Sequence, residues 1–260
     1  MPRPSASRAV ALPAPATARD FSRRLRAWFR KHGRDLPWRR TRDPYHVLVS
    51  ELMLQQTQVS RVIDYYARFL ERFPSLHHLA ASSQTHVVEA WEGLGYYARA
   101  RNLHELALRV TRDGDGTLPG DPAALRELPG VGAYTAGAVA SFAFEARAEL
   151  VDTNVARVLA RVFAPRLRPK QPRDLTQLWR LAEAVLPQRG NTAWTHNQAL
   201  MELGALVCTA RARHCPRCPV QRLCATRQAE LRKETKAGAP SRRPRSTTRA
   251  ATRAARAANR

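Results

Sequence analysis

Lysine is nearly missing from this chain. Of 44 Lys and Arg residues, only Lys31, Lys170, Lys233 and Lys236 are lysine, and none lies between His32 and Pro169. An amine nucleophile is therefore absent from that whole stretch. Acidic residues are few, 21 against 44 basic ones. No run approaches the roughly 18–20 continuous apolar residues of a membrane span, so no membrane partner is expected. The opening MPRPSASRAVALPAPATARD lacks the apolar core of a secretory signal. Its Arg, Ser and Ala content leaves a transit peptide open, but a disordered tail over residues 1–19 is the preferred reading. No β alternation of useful length and no repeat of 20–50 residues is present.

What remains is a basic, helical chain. Its 260 residues suffice for one large or two modest domains. The net charge of +23 is the footprint of a nucleic-acid binder. From Arg227 to Arg260 there are 11 Lys/Arg and two Glu, which supplies +9 of that charge. The rest of the chain is therefore basic too. Residues 227–260 lack apolar periodicity and are read as a disordered basic tail.

Spacing of apolar residues predicts helices over Asp20–Lys31, Tyr45–Gln55, Thr57–Glu71, Gln84–Leu94, Ala98–Asp113, Tyr134–Phe144, Thr153–Phe163, Asp174–Leu186 and His196–Val207. The fold class is all-α. One segment breaks its own pattern. In VLVSELMLQQTQVSRVIDYY, Leu48, Leu52, Val59, Ile63 and Tyr66 fit one apolar face. Gln55, Gln56, Thr57 and Gln58 do not, and Glu51 sits where core packing gains nothing from a carboxylate. By position alone, Glu51 reads as a solvent-facing helix residue.

All four cysteines fall within CTARARHCPRCPVQRLC, at Cys208, Cys215, Cys218 and Cys224, spaced C-x6-C-x2-C-x5-C. Placing every cysteine in one short loop argues for a single tetrathiolate site. Two disulfides are disfavoured in a basic, nucleic-acid-binding chain. Zinc is the rival, with His214 as an awkward further ligand, but structural zinc usually takes two close cysteine pairs. One CxxC with wide outer gaps favours an iron–sulfur cluster. In ELPGVGAYTAGAV, Gly130 and Gly132 permit a tight turn that leaves N–H groups free for a phosphate; an ordinary helix–helix turn is equally consistent. Asp152 stands just before a helical run, where an N-cap carboxylate is expected to stay ionised.

Five stretches together carry a resemblance: LPWRRTRDPYHVLVSELMLQQTQV, WEGLGYYARARNLH, LPGVGAYTAGAV, VDTNVARVLAR and the cysteine loop. From about Phe21 to Cys224 the chain resembles the helix-hairpin-helix DNA glycosylases of the endonuclease III superfamily, and within it the adenine glycosylases of the MutY type. The resemblance implies a six-helix barrel over 37–144, with a helix-hairpin-helix. It also implies a cluster domain from 20–36 and 145–226, with the active site in the cleft between the two. The four cysteines would hold a 4Fe-4S cluster.

The same resemblance assigns roles. Glu51 would be the general acid that protonates the leaving purine, its pKa raised by burial among Leu48, Leu52 and Leu54. Asp152 would stabilise the oxocarbenium-like sugar. Tyr134 stands where strand-cutting relatives carry a Schiff-base lysine, and would be a third catalytic residue. Asn154 would position water or Asp152. LQQT would be a helix junction facing DNA, with Thr57 as N-cap. Gln56 would wedge into the base stack, Thr57 would contact the opposite base, and Tyr96 would stack from the other side. Leu94, Gly130 and Gly132 join the DNA-facing set. Trp38, Arg39, Leu54, Val59 and Gln198 resemble the adenine pocket. Tyr97 is read as a core aromatic.

The expected activity is base excision without strand cleavage: hydrolysis of the bond between adenine and deoxyribose in duplexes holding A opposite 8-oxoguanine or G. A monomer is expected, handing its abasic product to other enzymes; in a bacterium it would be cytoplasmic. Two departures matter. Thr153 stands where the adenine branch usually has Gly, as in relatives that remove T or U opposite G, so such a mismatch glycosylase is the alternative. The residues after Cys224 are too few for the MutT/Nudix-like domain that reads 8-oxoguanine in the adenine branch. A third reading, of another class, is a non-catalytic iron–sulfur DNA-binding module.

Overall fold

A computed structural model describes residues 10–237; residues 1–9 and 238–260, which hold parts of both expected tails, lie outside the described residues. Among the described residues the chain is helical, with one isolated bridge between Cys208 and Arg213. The helices are α1 Pro15–His32, α2 Pro44–Leu54, α3 Val59–Arg72, α4 Leu76–Ala81, α5 Gln84–Ala90, α6 Ala98–Asp113, α7 Pro122–Arg126, α8 Ala133–Ala143, α9 Thr153–Phe163, α10 Pro172–Val185, α11 Gly190–Leu206 and α12 Ala225–Ala237. None is long and apolar enough to cross a membrane.

Capping chemistry sets the starts. Asp43 accepts a hydrogen bond from the His46 N–H at 3.0 Å, with Pro44 in the first turn of α2. Ser75, Ser83 and Asp121 cap α4, α5 and α7 in the same way. Helices α4 and α7 are too short to show periodicity, and the sequence reading passes over both.

Both expected tails are partly ordered. Helix α1 begins at Pro15, not Asp20, because proline suits a first turn and Ala18 is buried beneath it. Helix α12 runs to Ala237 through residues read as tail. Its residues are good helix formers. An ion pair between Arg213 and Glu230, and the Thr226 hydroxyl donating to the Arg161 carbonyl at 2.7 Å, tie it to the cysteine loop and α9.

The helices pack in two groups. In one, α2 lies against α3, α6 and α8, with α4 and α5 on α6 and α7 on α8. In the other, α1, α9, α10 and α11 pack together and α12 lies on α9. Contacts between α8 and α11 join the groups. Helix α2 differs from expectation. Every residue from Val47 to Met53 is buried, so it has no solvent face. An amphipathic stripe becomes a central helix packed on all sides.

Candidate active site

Glu51 lies on that central helix and is 3% exposed, so the solvent-facing reading fails. Its Oε2 accepts a hydrogen bond from the Tyr134 hydroxyl at 2.7 Å. Tyr134 is in the first turn of α8, delivered by the turn at Gly130 and Gly132. Gly130 has φ of +75°, and a Cβ there would sit 2.6 Å from Asn102 Cβ, so only glycine fits. A Cβ at Gly132 would meet nothing within 4 Å. No side chain caps the N-terminus of α8.

Asp152 caps α9, accepting from the Val155 N–H at 2.6 Å and from Asn154 Nδ2 at 2.9 Å. Asn154 is held in turn by Arg157, which donates to its Oδ1 at 2.7 Å and to the Cys208 carbonyl at 2.9 Å. A Cβ on Gly204 would stand 2.6 Å from Asn154 Cβ, so α11 can approach α9 here only through glycine.

Burial sets the electrostatics. It pushes Glu51 up to about 7; the Tyr134 hydrogen bond opposes it, the Asp152 charge adds to it and Arg39 opposes it. Burial also raises Asp152 from its ordinary value, contrary to the expectation for a bare helix N-cap, while the Val155 N–H and the Asn154 amide work against that rise. Tyr134 is driven well above the ordinary tyrosine range by burial and then by the two carboxylates, so it remains a phenol donor. A carboxyl that titrates near neutrality therefore sits beside a second carboxylate held by two donors. Such a pair can protonate a leaving group and stabilise a nearby cation.

Of the expected pocket residues, Arg39 and Gln198 meet at α11. Trp38 is buried with its ring edge-on to Tyr66 at 5.6 Å. Arg39 donates to Gln198 Oε1 at 2.7 Å, to the Arg34 carbonyl at 2.8 Å and to Glu202 at 2.9 Å. Gln198 is buried, while Leu54 and Val59 are half-buried. Sequence reasoning missed Glu202, which also binds the Arg34 guanidinium and backbone N–H. Burial pushes Glu202 up, but hydrogen bonds from Arg34 and Arg39 outweigh it and hold the carboxyl at about 2. Its stabilising contribution is thus complete above the ordinary value of 4.5 and is lost as pH falls toward 2. Glu202→Ala is expected to cost about 3–5 kcal/mol at pH 7, because two arginines lose a buried partner. Chemical denaturation at pH 7 and at pH 3 checks this; an equal deficit at both would rule out the ion pair as its source.

The DNA-facing candidates sit on two adjoining loops. Gln56 has φ of +56° and Tyr96 of +49°. Leu94 is buried and Tyr96 is 59% exposed. Thr57 is not the N-cap of α3; Gln58 holds that position. The Thr57 hydroxyl turns instead to the Gln55 carbonyl, and Gln55 Nε2 donates to Thr135 Oγ1 on α8. Tyr97 is 39% exposed, so it is not a core aromatic.

The four cysteines are half-buried, form no disulfide, and line one cavity with Val158, Val162 and Leu203. Among the described residues no three ligand-type side chains converge on a single ion position. Arg161 Nη1 lies 3.3 Å from Cys208 Sγ, a donor suited to a metal-bound thiolate. The loop thus offers four thiols around an apolar cavity, a donor set that fits an iron–sulfur cluster.

Over 218 residues the chain is 46% identical to the adenine DNA glycosylase of Rattus norvegicus, a match that covers 80% of this chain and 42% of that one. It is likewise 46% identical to the adenine DNA glycosylase of Mycobacterium tuberculosis, over 79% of this chain and 67% of that one. The chain therefore spans only about two fifths of its mammalian relative. Among solved structures, a thermostable thymine-DNA glycosylase superposes with a TM-score of 0.75 at 31% identity, over 82% of this chain and 98% of that one. Residues 49–183 match the family model described as HhH-GPD superfamily base excision DNA repair protein. The chain belongs to the HhH-GPD superfamily of base excision DNA repair proteins.

Proposed function

We propose that this protein is a DNA glycosylase that hydrolyses the N-glycosidic bond of adenine opposite 8-oxoguanine or guanine and leaves the strand intact. The observation that carries the reading is the Tyr134–Glu51 hydrogen bond at 2.7 Å beside Asp152. Glu51, protonated near neutrality, gives its proton to the departing purine. Asp152, held by Val155 and Asn154, faces the cationic sugar, and water then attacks the anomeric carbon, giving up a proton that restores the Glu51 carboxyl. The products are free base and an abasic site. Tyr134 occupies the hairpin position with a phenol, and no lysine lies between residues 32 and 169 to form a Schiff base. Duplex DNA is the partner: Gly132 leaves the N-terminus of α8 open to a backbone phosphate, and the chain carries +23.

We assign Cys208, Cys215, Cys218 and Cys224 to a 4Fe-4S cluster. When bound, the cluster would take the four thiolates as ligands and so cross-link the loop to itself. The rival substrate, T or U opposite G, is favoured by Thr153 and by the thymine-DNA glycosylase likeness; the adenine reading is favoured by the two relatives that bear that name.

Single-turnover cleavage on A:8-oxoguanine, A:G, T:G and U:G duplexes, quenched with and without hot alkali, separates these readings. Breakage of the adenine strand only after alkali is expected. Breakage at T:G or U:G would move the substrate to the pyrimidine. Breakage without alkali would overturn the intact-strand reading, and none on any duplex would favour a binding module.

A further inference from the structure

Arg99, in the first turn of α6, is 7% exposed and pairs with no carboxylate among the described residues. A buried guanidinium without an acid is unusual, so its partners matter. Nη1 donates to the carbonyls of Leu52 at 2.7 Å, Met53 at 2.9 Å and Gln55 at 2.6 Å. Nη2 donates to Thr57 Oγ1 at 3.3 Å and to the carbonyls of Leu94 at 3.2 Å and Gly95 at 2.8 Å. Nε reaches the Tyr96 carbonyl at 3.4 Å. A guanidinium has five N–H groups, so some of these bonds are shared.

The acceptors fall into two sets. Leu52, Met53 and Gln55 are the unpaired carbonyls at the end of α2, where the helix dipole favours a cation. Leu94, Gly95 and Tyr96 belong to the loop before α6. One side chain thus joins two loops some forty residues apart in sequence. Both loops carry a non-glycine residue in the left-handed region, Gln56 and Tyr96. Such residues persist only where their surroundings over-determine them. Arg99 holds the positions on either side of Gln56, and it holds the carbonyls before and of Tyr96. The guanidinium also lies under the exposed Tyr96 ring, 5.6 Å from its centroid, with Trp91 at 5.4 Å.

We infer that Arg99 is a positioning residue that locks the Gln56 and Tyr96 loops into one preformed, two-pronged wedge for opening the duplex, a role that rests on the glycosylase reading above. Gln56 and Tyr96 are held in place before DNA arrives. Their ordering is complete in the free protein, so binding energy goes into unstacking the target base. A lysine offers three donors from a single point and cannot span both loops.

The test compares the full chain with Arg99→Lys. Excision is timed at saturating protein on the paired mismatch duplex and on the same strand with the target base in an unpaired bubble. A 2-aminopurine beside the target reports extrusion. Arg99→Lys is expected to lower the paired-to-bubble rate ratio by about tenfold or more and to suppress the fluorescence rise, since only the paired substrate needs prying open. An equal loss on both substrates, or no change on either, would overturn the positioning role. Wild-type protein inactive on every substrate would instead sink the glycosylase reading. Should Arg99→Lys not fold, hydrogen exchange on the wild type decides. Residues 52–58 and 93–99 are expected to be as protected without DNA as with it, and protection gained only on DNA would show that the wedge is not preformed.

Discussion

Glu51→Gln slows base release by orders of magnitude and makes the protein more stable above neutral pH. Both effects follow from one burial. The glutamine keeps the shape and can still accept the Tyr134 hydrogen bond, but it has no proton of the required acidity. Loss of a positioned general acid costs about 10²–10⁴ in rate, and single-turnover kinetics on the preferred duplex would read it. Wild-type rate should itself fall about tenfold per pH unit above the folded pKa of about 7, as the donor deprotonates. The stability effect has a definite sign. The folded pKa is raised above the ordinary 4.5, so folding favours the protonated form. That advantage is present in full below 4.5 and is lost as pH rises through 7. Above pH 7 the folded protein holds a buried charge at a cost of about 3 kcal/mol. Glu51→Gln never meets that cost. Denaturant midpoints at pH 5 and pH 8 test it: the variant should gain on wild type between them. A constant difference would mean that Glu51 does not titrate in the folded state.

Asp152→Asn is the second large effect, and here most of the local structure is kept. Asn caps helices as well as Asp does, so the bond from the Val155 N–H survives, while the one from Asn154 Nδ2 loses its acceptor. What disappears is the negative charge facing the sugar. A preorganised group aimed at a developing charge is worth about 10²–10³ in rate. The variant should therefore melt only slightly below wild type, bind the mismatch duplex, and excise at least about a hundredfold more slowly. A variant with near-normal rate would leave Glu51 to act alone. A variant that melts early would show the Asp152 carboxylate to be structural first.

Glu51 and Tyr134 stand out only through the family resemblance, since by position alone Glu51 reads as a solvent-facing helix residue; the capping place of Asp152 has a local signal of its own. Asp152 stands where a helix must begin, Gly130 and Gly132 mark a turn, and Tyr134 follows at once. The long helices were legible from their apolar spacing. Arg99 and Glu202 were not. On α6, Arg99 reads as one more charge on a solvated face, and its carbonyl partners leave no trace in residue type. Glu202 meets Arg34 across 168 positions. Thr57 reads as a cap only because nothing local shows that Arg99 claims its hydroxyl. Helix α2 deceived in a further way: its polar residues suggested an outer face, yet neighbours cover it on every side.

That enclosure has a consequence for anyone surveying variants of this protein in bulk. On most enzymes the reactive groups hang from loops, and a dead variant there is usually still made in full. Here the proton donor shares a helix with Val47, Leu48, Val49, Leu52 and Met53, all at most 2% exposed. Most replacements along α2 will lower yield and activity together, so a screen that scores activity alone will paint the whole helix as catalytic. Only activity divided by soluble yield separates position 51 from its neighbours.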